Sequence, residues 1–202
     1  MKRYRLILKE DTQKVYRRML LTSTGFDNRK FARITMKILS AKKPLFNCNV
    51  MFIPTADRKR ESIKACIKEL NDLGIPKYKI FYTDCCIQGV VLKPSQYDMI
   101  YVTGGDENYL IDRINEDTKF RNILLNMINR GVYYVGVSAG SYICGNMVDR
   151  PNQSLGLFNY IIEPHQNDEH NKRGSIPKDS KIVNISDNQA LMVMGNRVSV
   201  IE

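Results

Sequence analysis

The sequence has no apolar run long enough to cross a lipid bilayer and no recognisable secretory leader. Its longest apolar segments, such as YDMIYVTGG and YYVGVSAG, are far shorter than the roughly 18 to 20 residues that a membrane span requires. The basic N-terminus is interrupted by Lys9, Glu10 and Asp11, and it lacks the apolar core and cleavage site of a signal peptide. We therefore expect a cytoplasmic protein with no membrane partner.

The chain is also poor in the residue patterns that hold metals or disulfides. It has five cysteines, an odd number, with no C-x-x-C pair and no metal-like spacing to either of its two histidines. Cys85 and Cys86 are adjacent in the chain. Reduced thiols are expected in a cytoplasmic protein. We therefore predict no disulfide framework, no metal site and no cofactor.

The net charge of +10 has no concentrated source in the sequence. The densest basic stretches, KRYR and DRKRESIK, lack the interleaved aromatic residues of a surface that binds single-stranded nucleic acid. We therefore predict no nucleic-acid partner. The charge is compatible with an acidic substrate or simply with a soluble surface.

Apolar runs alternate with amphipathic stretches along most of the chain. Such alternation predicts an α/β fold, with a mostly parallel sheet and helices on both faces. The predicted strands are RRMLLTSTG, NVMFIPTAD, YKIFYTD, YDMIYVTGG and VYYVGVSAG. Residues 107–131 are expected to form one long helix or two short ones, and the C-terminus a hairpin that turns at Gly195 and Asn196. Because no repeat or linker interrupts this pattern, we expect a single domain over residues 1–202.

The segment GVSAGS follows a predicted strand and contains the pattern G-x-S-x-G. In a nucleophile elbow, this pattern places a serine on a sharp turn between a strand and a helix. Here the serine is Ser138, flanked by Gly136 and Gly140. The alternative is a turn of small residues that only lets a helix pack closely on the sheet.

A catalytic serine needs a base, which is most often histidine. His165 follows the apolar run FNYIIEP and is therefore expected to leave the domain body at a defined place, whereas His170 lies in a charged loop. A carboxylate is expected to orient the imidazole. Asp149 ranks first because it gives the chain order Ser, Asp, His, and the other candidates are Glu163, Asp168 and Glu169.

Hydrolysis through a serine also requires hydrogen-bond donors for the developing oxyanion. Gly104 and Gly105 end the strand YDMIYV, where their small size allows backbone N–H groups to approach a substrate. The N–H of Ala139, which follows the candidate nucleophile, would be a further donor. The alternative for the two glycines is an ordinary turn at the end of a strand.

Together these segments resemble the peptidase E family, the aspartyl dipeptidases. LLTSTGF, VMFIPTA, MIYVTGGDENYL, GVSAGS and LGLFNYIIEPH occur in the order and approximate spacing of that family, from about Met19 to the C-terminus. Cyanophycinase and the class I glutamine amidotransferases are its relatives. The resemblance implies a flavodoxin-like three-layer sandwich and a serine peptidase, with Ser138 as nucleophile and His165 as general base. It also implies an oxyanion hole at Gly104, Gly105 and Ala139.

The family resemblance further implies a small peptide substrate with an N-terminal aspartate. A basic residue beyond the histidine helps to hold the acidic side chain in such enzymes, and Arg173 is the nearest candidate by position. Two departures stand out: Asp106 replaces the usual Asn after the two glycines, near the expected substrate site, and the loop before His165 is shorter. We expect a monomer or a homodimer.

Two other functions remain open at this point. A catalytically impaired relative would keep the pocket for a small ligand, and Asp106 would then be a sign of lost activity. An α/β-hydrolase esterase would share the elbow. The second is disfavoured because the chain after Ser138 leaves little room for the later strands and cap of that fold.

Overall fold

The computed structural model describes residues 16–85, 93–148, 150, 153–166, 181–195 and 197–202. Its centre is a seven-stranded sheet in the order β3-β2-β4-β5-β1-β8-β9. The strands of this sheet are β1 (Arg18–Thr22), β2 (Val50–Ile53), β3 (Ile80–Tyr82), β4 (Met99–Val102), β5 (Tyr133–Val137), β8 (Ala190–Met194) and β9 (Arg197–Ile201).

The first five strands of this sheet are parallel, and the last two form an antiparallel hairpin. Strand β1 pairs in parallel with β5 and antiparallel with β8, which in turn pairs with β9. Gly195, at the turn of this hairpin, has a φ of 60°, a conformation that glycine adopts at little cost. The predicted α/β class, the mostly parallel sheet and the C-terminal hairpin are therefore confirmed.

Helices cover both faces of the sheet. They are α1 (Arg29–Ser40), α2 (Arg60–Asp72), α3 (Glu107–Glu116), α4 (Thr118–Asn129) and α5 (Ala139–Tyr142). Residues 107–131 form two helices because Asp117 ends α3 and caps α4, where its carboxylate accepts the N–H of Phe120 at 2.9 Å. None of the helices among the described residues is long and apolar enough to span a membrane.

Alternate residues of the central strands pack against opposite helix layers. On β4, Met99 and Tyr101 pack into the core with α1 and α2, whereas Ile100 and Val102 pack into the core with α3, α4 and α5. All four side chains are buried. Strands buried on both faces explain why the sequence shows continuous apolar runs there, and the result is the three-layer sandwich that we predicted.

A second, two-stranded sheet was not predicted. It consists of β6 (Ile161–Pro164) and β7 (Ile182–Ile185), which pair in parallel. Both strands are only four residues long, and neither was among the predicted strands. Their pairing depends on a contact between distant parts of the chain, which local patterns do not encode.

The parallel arrangement brings several strand ends to one edge of the main sheet. Thr22 at the end of β1 pairs with Val137 at the end of β5, and Val102 at the end of β4 pairs with Gly136. In open α/β sheets, ligands bind outside the carboxyl ends of the strands. The loops that follow β1, β4 and β5 therefore meet where a site is expected.

Candidate active site

Ser138 lies on a sharp turn between β5 and α5. Its φ of 48° and ψ of −106° place it in a conformation that is rare for a residue with a side chain. The N–H of Ser138 donates to the carbonyl of Thr22 at 2.9 Å, which fixes the turn to the end of β1. Backbone strain of this kind is concentrated at functional sites, and the geometry is that of a nucleophile elbow.

Both glycines of the elbow are required by close contacts between backbones. A Cβ atom on Gly136 would lie 2.5 Å from the carbonyl oxygen of Gly140. One on Gly140 would lie 2.7 Å from the carbonyl oxygen of Val102. The turn is therefore possible only without side chains at these two positions.

Two buried side chains stabilise the elbow through hydrogen bonds to backbone carbonyl groups. The Oγ of Ser141 lies 2.8 Å from the carbonyl oxygens of both Thr22 and Gly136. The hydroxyl of Tyr134 donates to the carbonyl of Gly140 at 2.7 Å. Because these bonds connect β1, β5 and α5, the turn that carries Ser138 is rigidly held.

His165 directly follows β6 and faces Ser138. Its Nε2 lies 2.9 Å from the Oγ of Ser138, which is hydrogen-bond distance. Its φ of 59° is again unusual for a residue with a side chain. Of the two histidines, the structure places His165 beside the serine, and His170 lies outside the described residues.

Asp187, in the loop between β7 and β8, contacts the other nitrogen of the imidazole. Its Oδ1 lies 2.8 Å from Nδ1 of His165. Because a carboxylate accepts hydrogen bonds, Nδ1 of His165 carries the ring proton and donates a hydrogen bond to Asp187. Nε2 is then free to accept the proton of the Ser138 hydroxyl, so the three side chains form one continuous chain of contacts.

Asp187 occupies the position on the imidazole for which Asp149 was our first candidate. Asp149 lies outside the described residues. Glu163 is buried within β6. The chain order of the three side chains in contact is Ser, His, Asp, whereas we expected Ser, Asp, His. A usable signal was present: Asp187 follows the short apolar segment KIVNIS, as a residue at the end of a strand would.

Gly104 lies beside Ser138, and Gly105 lies against the backbone of Ala56. A Cβ on Gly104 would lie 3.0 Å from Cβ of Ser138, and one on Gly105 would lie 2.2 Å from the carbonyl oxygen of Ala56. The φ of Gly105 is 135°, which favours glycine. Among the described residues, the N–H groups of Gly104, Gly105 and Ala139 have no hydrogen-bond acceptor, so they are free to bind a substrate oxygen.

The Asp106 carboxylate accepts a hydrogen bond at the start of α3. Its Oδ1 accepts the N–H of Tyr109 at 2.9 Å, in the N-cap position. The side chain is exposed, and its negative charge lies at the positive end of the helix dipole. The other predicted substrate residue, Arg173, lies outside the described residues.

Two buried cysteines, Cys144 and Cys85, are poor nucleophiles. Cys144 follows α5, and its buried Sγ lies 3.3 Å from the carbonyl of Gly140. Burial raises the pKa of Cys144 to about 12 and that of Cys85 to about 12. Both remain protonated thiols at neutral pH, and thiolates rather than thiols attack carbonyl groups. Ser138 is therefore the nucleophile that this arrangement favours.

The chain is similar to known peptidases over most of its length. The model of the family described as peptidase family S51 matches residues 19–201. An uncharacterized peptidase of Listeria monocytogenes is 27% identical over 172 residues, which cover 74% of this chain and 83% of the relative. An uncharacterized peptidase of Listeria innocua is also 27% identical, over 74% of this chain and 82% of its own.

Solved structures share the fold at lower sequence identity. A Listeria monocytogenes crystal structure that carries the name peptidase E has a TM-score of 0.72 and 23% identity, and covers 93% of this chain and 98% of its own. A peptidase from an acI-B1 Actinobacterium has a TM-score of 0.69 and 17% identity, over 93% of this chain and 88% of its own. The family resemblance inferred from the sequence motifs is thus confirmed.

Proposed function

The chain belongs to peptidase family S51, and we propose that it hydrolyses short peptides through an acyl-enzyme formed on Ser138. The observation that carries this proposal is the continuous contact from Ser138 through His165 to Asp187, at 2.9 and 2.8 Å. A strained serine with a base and an orienting carboxylate is the arrangement that activates a hydroxyl for attack.

In the first half of the reaction, Ser138 attacks the carbonyl carbon of the scissile peptide bond. Nε2 of His165 takes the hydroxyl proton as the C–O bond forms, and Asp187 stabilises the resulting imidazolium. The tetrahedral intermediate collapses when His165 gives that proton to the leaving amine. Water then attacks the ester by the same route and releases the acid and free Ser138.

We assign the orienting role to Asp187 and no longer to Asp149. The imidazole has one Nδ1, and Asp187 occupies the hydrogen-bonding position there. A carboxylate in this position fixes the tautomer in which Nε2 can act as a base.

The oxyanion of the intermediate would bind the N–H groups of Gly104, Gly105 and Ala139. The closeness of Gly104 to Ser138 and the freedom of these groups from other acceptors among the described residues support this role. One donor of this kind contributes about 3 to 4 kcal/mol to transition-state stability in a serine hydrolase.

The substrate is proposed to be a dipeptide or other short peptide with an N-terminal aspartate. The net charge of +10 favours association with an acidic substrate. Arg173 is proposed to bind the acidic side chain through its fork of donors. Substitution Arg173→Ala should then raise KM for Asp-Leu much more than for Ala-Leu, with Lys172→Ala as the neighbouring control. Equal changes for both peptides would remove Arg173 from the site.

The proposed reaction is tested with purified wild-type protein and Ser138→Ala. Wild type should cleave Asp-Leu and react with a fluorophosphonate probe at Ser138, as located by peptide mass spectrometry. Ser138→Ala should lose the labelling and about 10⁵-fold or more of the kcat, because no nucleophile remains. A folded wild-type protein that neither cleaves peptides nor reacts with the probe would contradict the proposal and favour the ligand-binding alternative.

A further inference from the structure

We infer that Thr22, the last residue of β1, and the two residues that follow it, Ser23 and Thr24, set the relative positions of all three residues of the proposed triad. These three residues are called the TST loop below. Each of them contacts the backbone of a different member of the triad. The inference rests on the proposed function, and it assigns Ser23 and Thr24 as positioning residues.

Thr22 holds the nucleophile. Its carbonyl oxygen accepts the N–H of Ser138 at 2.9 Å and lies 2.8 Å from the Oγ of Ser141. Thr22 is fully buried at the end of β1, where it also pairs with Val137. The elbow is therefore attached to the rigid end of a central strand.

Ser23 holds the base. Its buried hydroxyl accepts the N–H of His165 at 2.9 Å and donates to the carbonyl of Ile185 at 3.0 Å. The same hydroxyl thus connects the residue after β6 to the last residue of β7. Because His165 has a φ of 59°, its backbone conformation is costly and must be stabilised by neighbouring contacts.

Thr24 holds the carboxylate. Its Oγ1 donates to the carbonyl oxygen of Asp187 at 3.1 Å. Ser23 reaches the same segment through the carbonyl of Ser186, 3.3 Å from its Oγ. The loop that carries Asp187 is therefore bound to the TST loop at consecutive residues.

These hydrogen bonds are needed because the three residues of the proposed triad follow strands of two different sheets. Ser138 follows a strand of the seven-stranded sheet, whereas His165 and Asp187 each follow a strand of the two-stranded sheet. The side chains of His165 and Asp187 are 48% and 40% exposed, so packing alone constrains them little. Reacting groups must be held within about 0.5 Å of their productive positions. The TST loop spans the junction and supplies that restraint through hydrogen bonds.

The central test is Ser23→Ala, which removes the contacts of the buried hydroxyl with His165, Ile185 and Ser186. We expect kcat for peptide hydrolysis to fall by about 10- to 100-fold while KM changes little, since a displacement of about 1 Å can cost 100-fold. The matched control is Thr35→Val, which removes another buried hydroxyl, 3.2 Å from the Tyr133 hydroxyl on α1's side of the sheet. It should lower the thermal unfolding temperature similarly and leave kcat unchanged.

A spectroscopic measurement separates positioning from general destabilisation. The chain has two histidines, so ¹⁵N-histidine labelling gives few imidazole signals, and His170→Gln identifies those of His165. In wild type and Thr35→Val, the Nδ1 signal of His165 should show a proton hydrogen-bonded to Asp187. In folded Ser23→Ala that proton signal should be broadened or lost. An unchanged signal together with unchanged kcat would overturn the inference.

Thr24 provides an independent pair of variants, which also serves if Ser23→Ala does not fold. Thr24→Val should lower kcat about 3- to 10-fold because it loses the bond to Asp187, and Thr24→Ser should restore it because the hydroxyl is kept. Equal kcat in both would contradict the role of Thr24. If wild type lacks hydrolytic activity altogether, the proposed function fails, and the imidazole signals still decide the positioning inference.

Discussion

The two halves of the proposed active site are built differently. Ser138 directly follows β5, the middle strand of the seven-stranded sheet. Backbone segments approach so closely there that a Cβ on Gly136 would lie 2.5 Å from the carbonyl oxygen of Gly140. His165 and Asp187 follow the strands of the small sheet, and their side chains are nearly half exposed. Ser138 is therefore positioned by close backbone contacts in and around the elbow, whereas His165 and Asp187 are positioned mainly by hydrogen bonds to the side chains of Ser23 and Thr24.

The largest effect is expected from a substitution in the elbow that carries Ser138. Gly136→Ala should abolish peptide hydrolysis and lower the free energy of unfolding by about 1 to 3 kcal/mol or more, because the added methyl group meets backbone that cannot move aside. Urea unfolding and the rate of fluorophosphonate labelling measure the two effects.

The matched control for this change is Gly156→Ala. Gly156 has a φ of 63°, but a Cβ there would meet no atom within 4 Å. We expect a cost of about 1 to 2 kcal/mol from the backbone conformation alone and full labelling of Ser138. If Gly136→Ala remained active, the elbow would not require the close contact that the structure shows.

A smaller effect is expected at Asp106, which follows Gly105 in the chain and caps the start of α3. Asp106→Asn removes the charge and keeps the side-chain oxygen that accepts the N–H of Tyr109. We therefore expect kcat to change by less than about 3-fold, since one exposed charge is screened by water. Steady-state kinetics test this. A much larger rise in kcat would mean that the carboxylate opposes the developing oxyanion.

The smallest expected effect concerns Glu69, under the loop that follows β1. Its Oε2 accepts the Tyr101 hydroxyl at 3.0 Å and the N–H of Phe26 at 3.4 Å. Burial raises the pKa of Glu69 above its ordinary 4.5. The folded state therefore binds the proton more tightly than the unfolded state, so this contribution to stability is present at low pH and is lost as the pH rises through the folded pKa.

Urea unfolding between about pH 4 and pH 7 measures this contribution. In Glu69→Gln, stability should decline less with rising pH than in wild type, because the amide does not ionise. Glu61→Gln, at an exposed position of the same helix, should follow the wild-type profile. Identical profiles for Glu69→Gln and wild type would show that ionisation of Glu69 does not affect stability.

The sequence predicted the nucleophile half in detail. The apolar runs of β4 and β5 are continuous because both faces are buried, and the glycines on either side of Ser138 mark the turn within a few residues. His165 was also predicted, since it follows an apolar run. These features depend on residues that are neighbours in the chain, so local patterns contain them.

The base half could be predicted only in part. The pairing of β6 with β7 joins segments about twenty residues apart, and no alternating pattern marks it. Asp187 lies 22 residues beyond His165, and only the fold brings the two together. Likewise, LLTSTG was predicted as the end of a strand, but its contacts with the backbone of all three residues of the proposed triad became apparent only in three dimensions.

The most direct test of the central claim is the rate at which a fluorophosphonate labels Ser138 in wild type, Asp187→Asn and Asp149→Asn. We expect Asp187→Asn to slow labelling on the order of 10³-fold or more, because the imidazole loses the tautomer in which it accepts the serine proton. Asp149→Asn should react like wild type. Slow labelling in Asp149→Asn with normal labelling in Asp187→Asn would contradict the account.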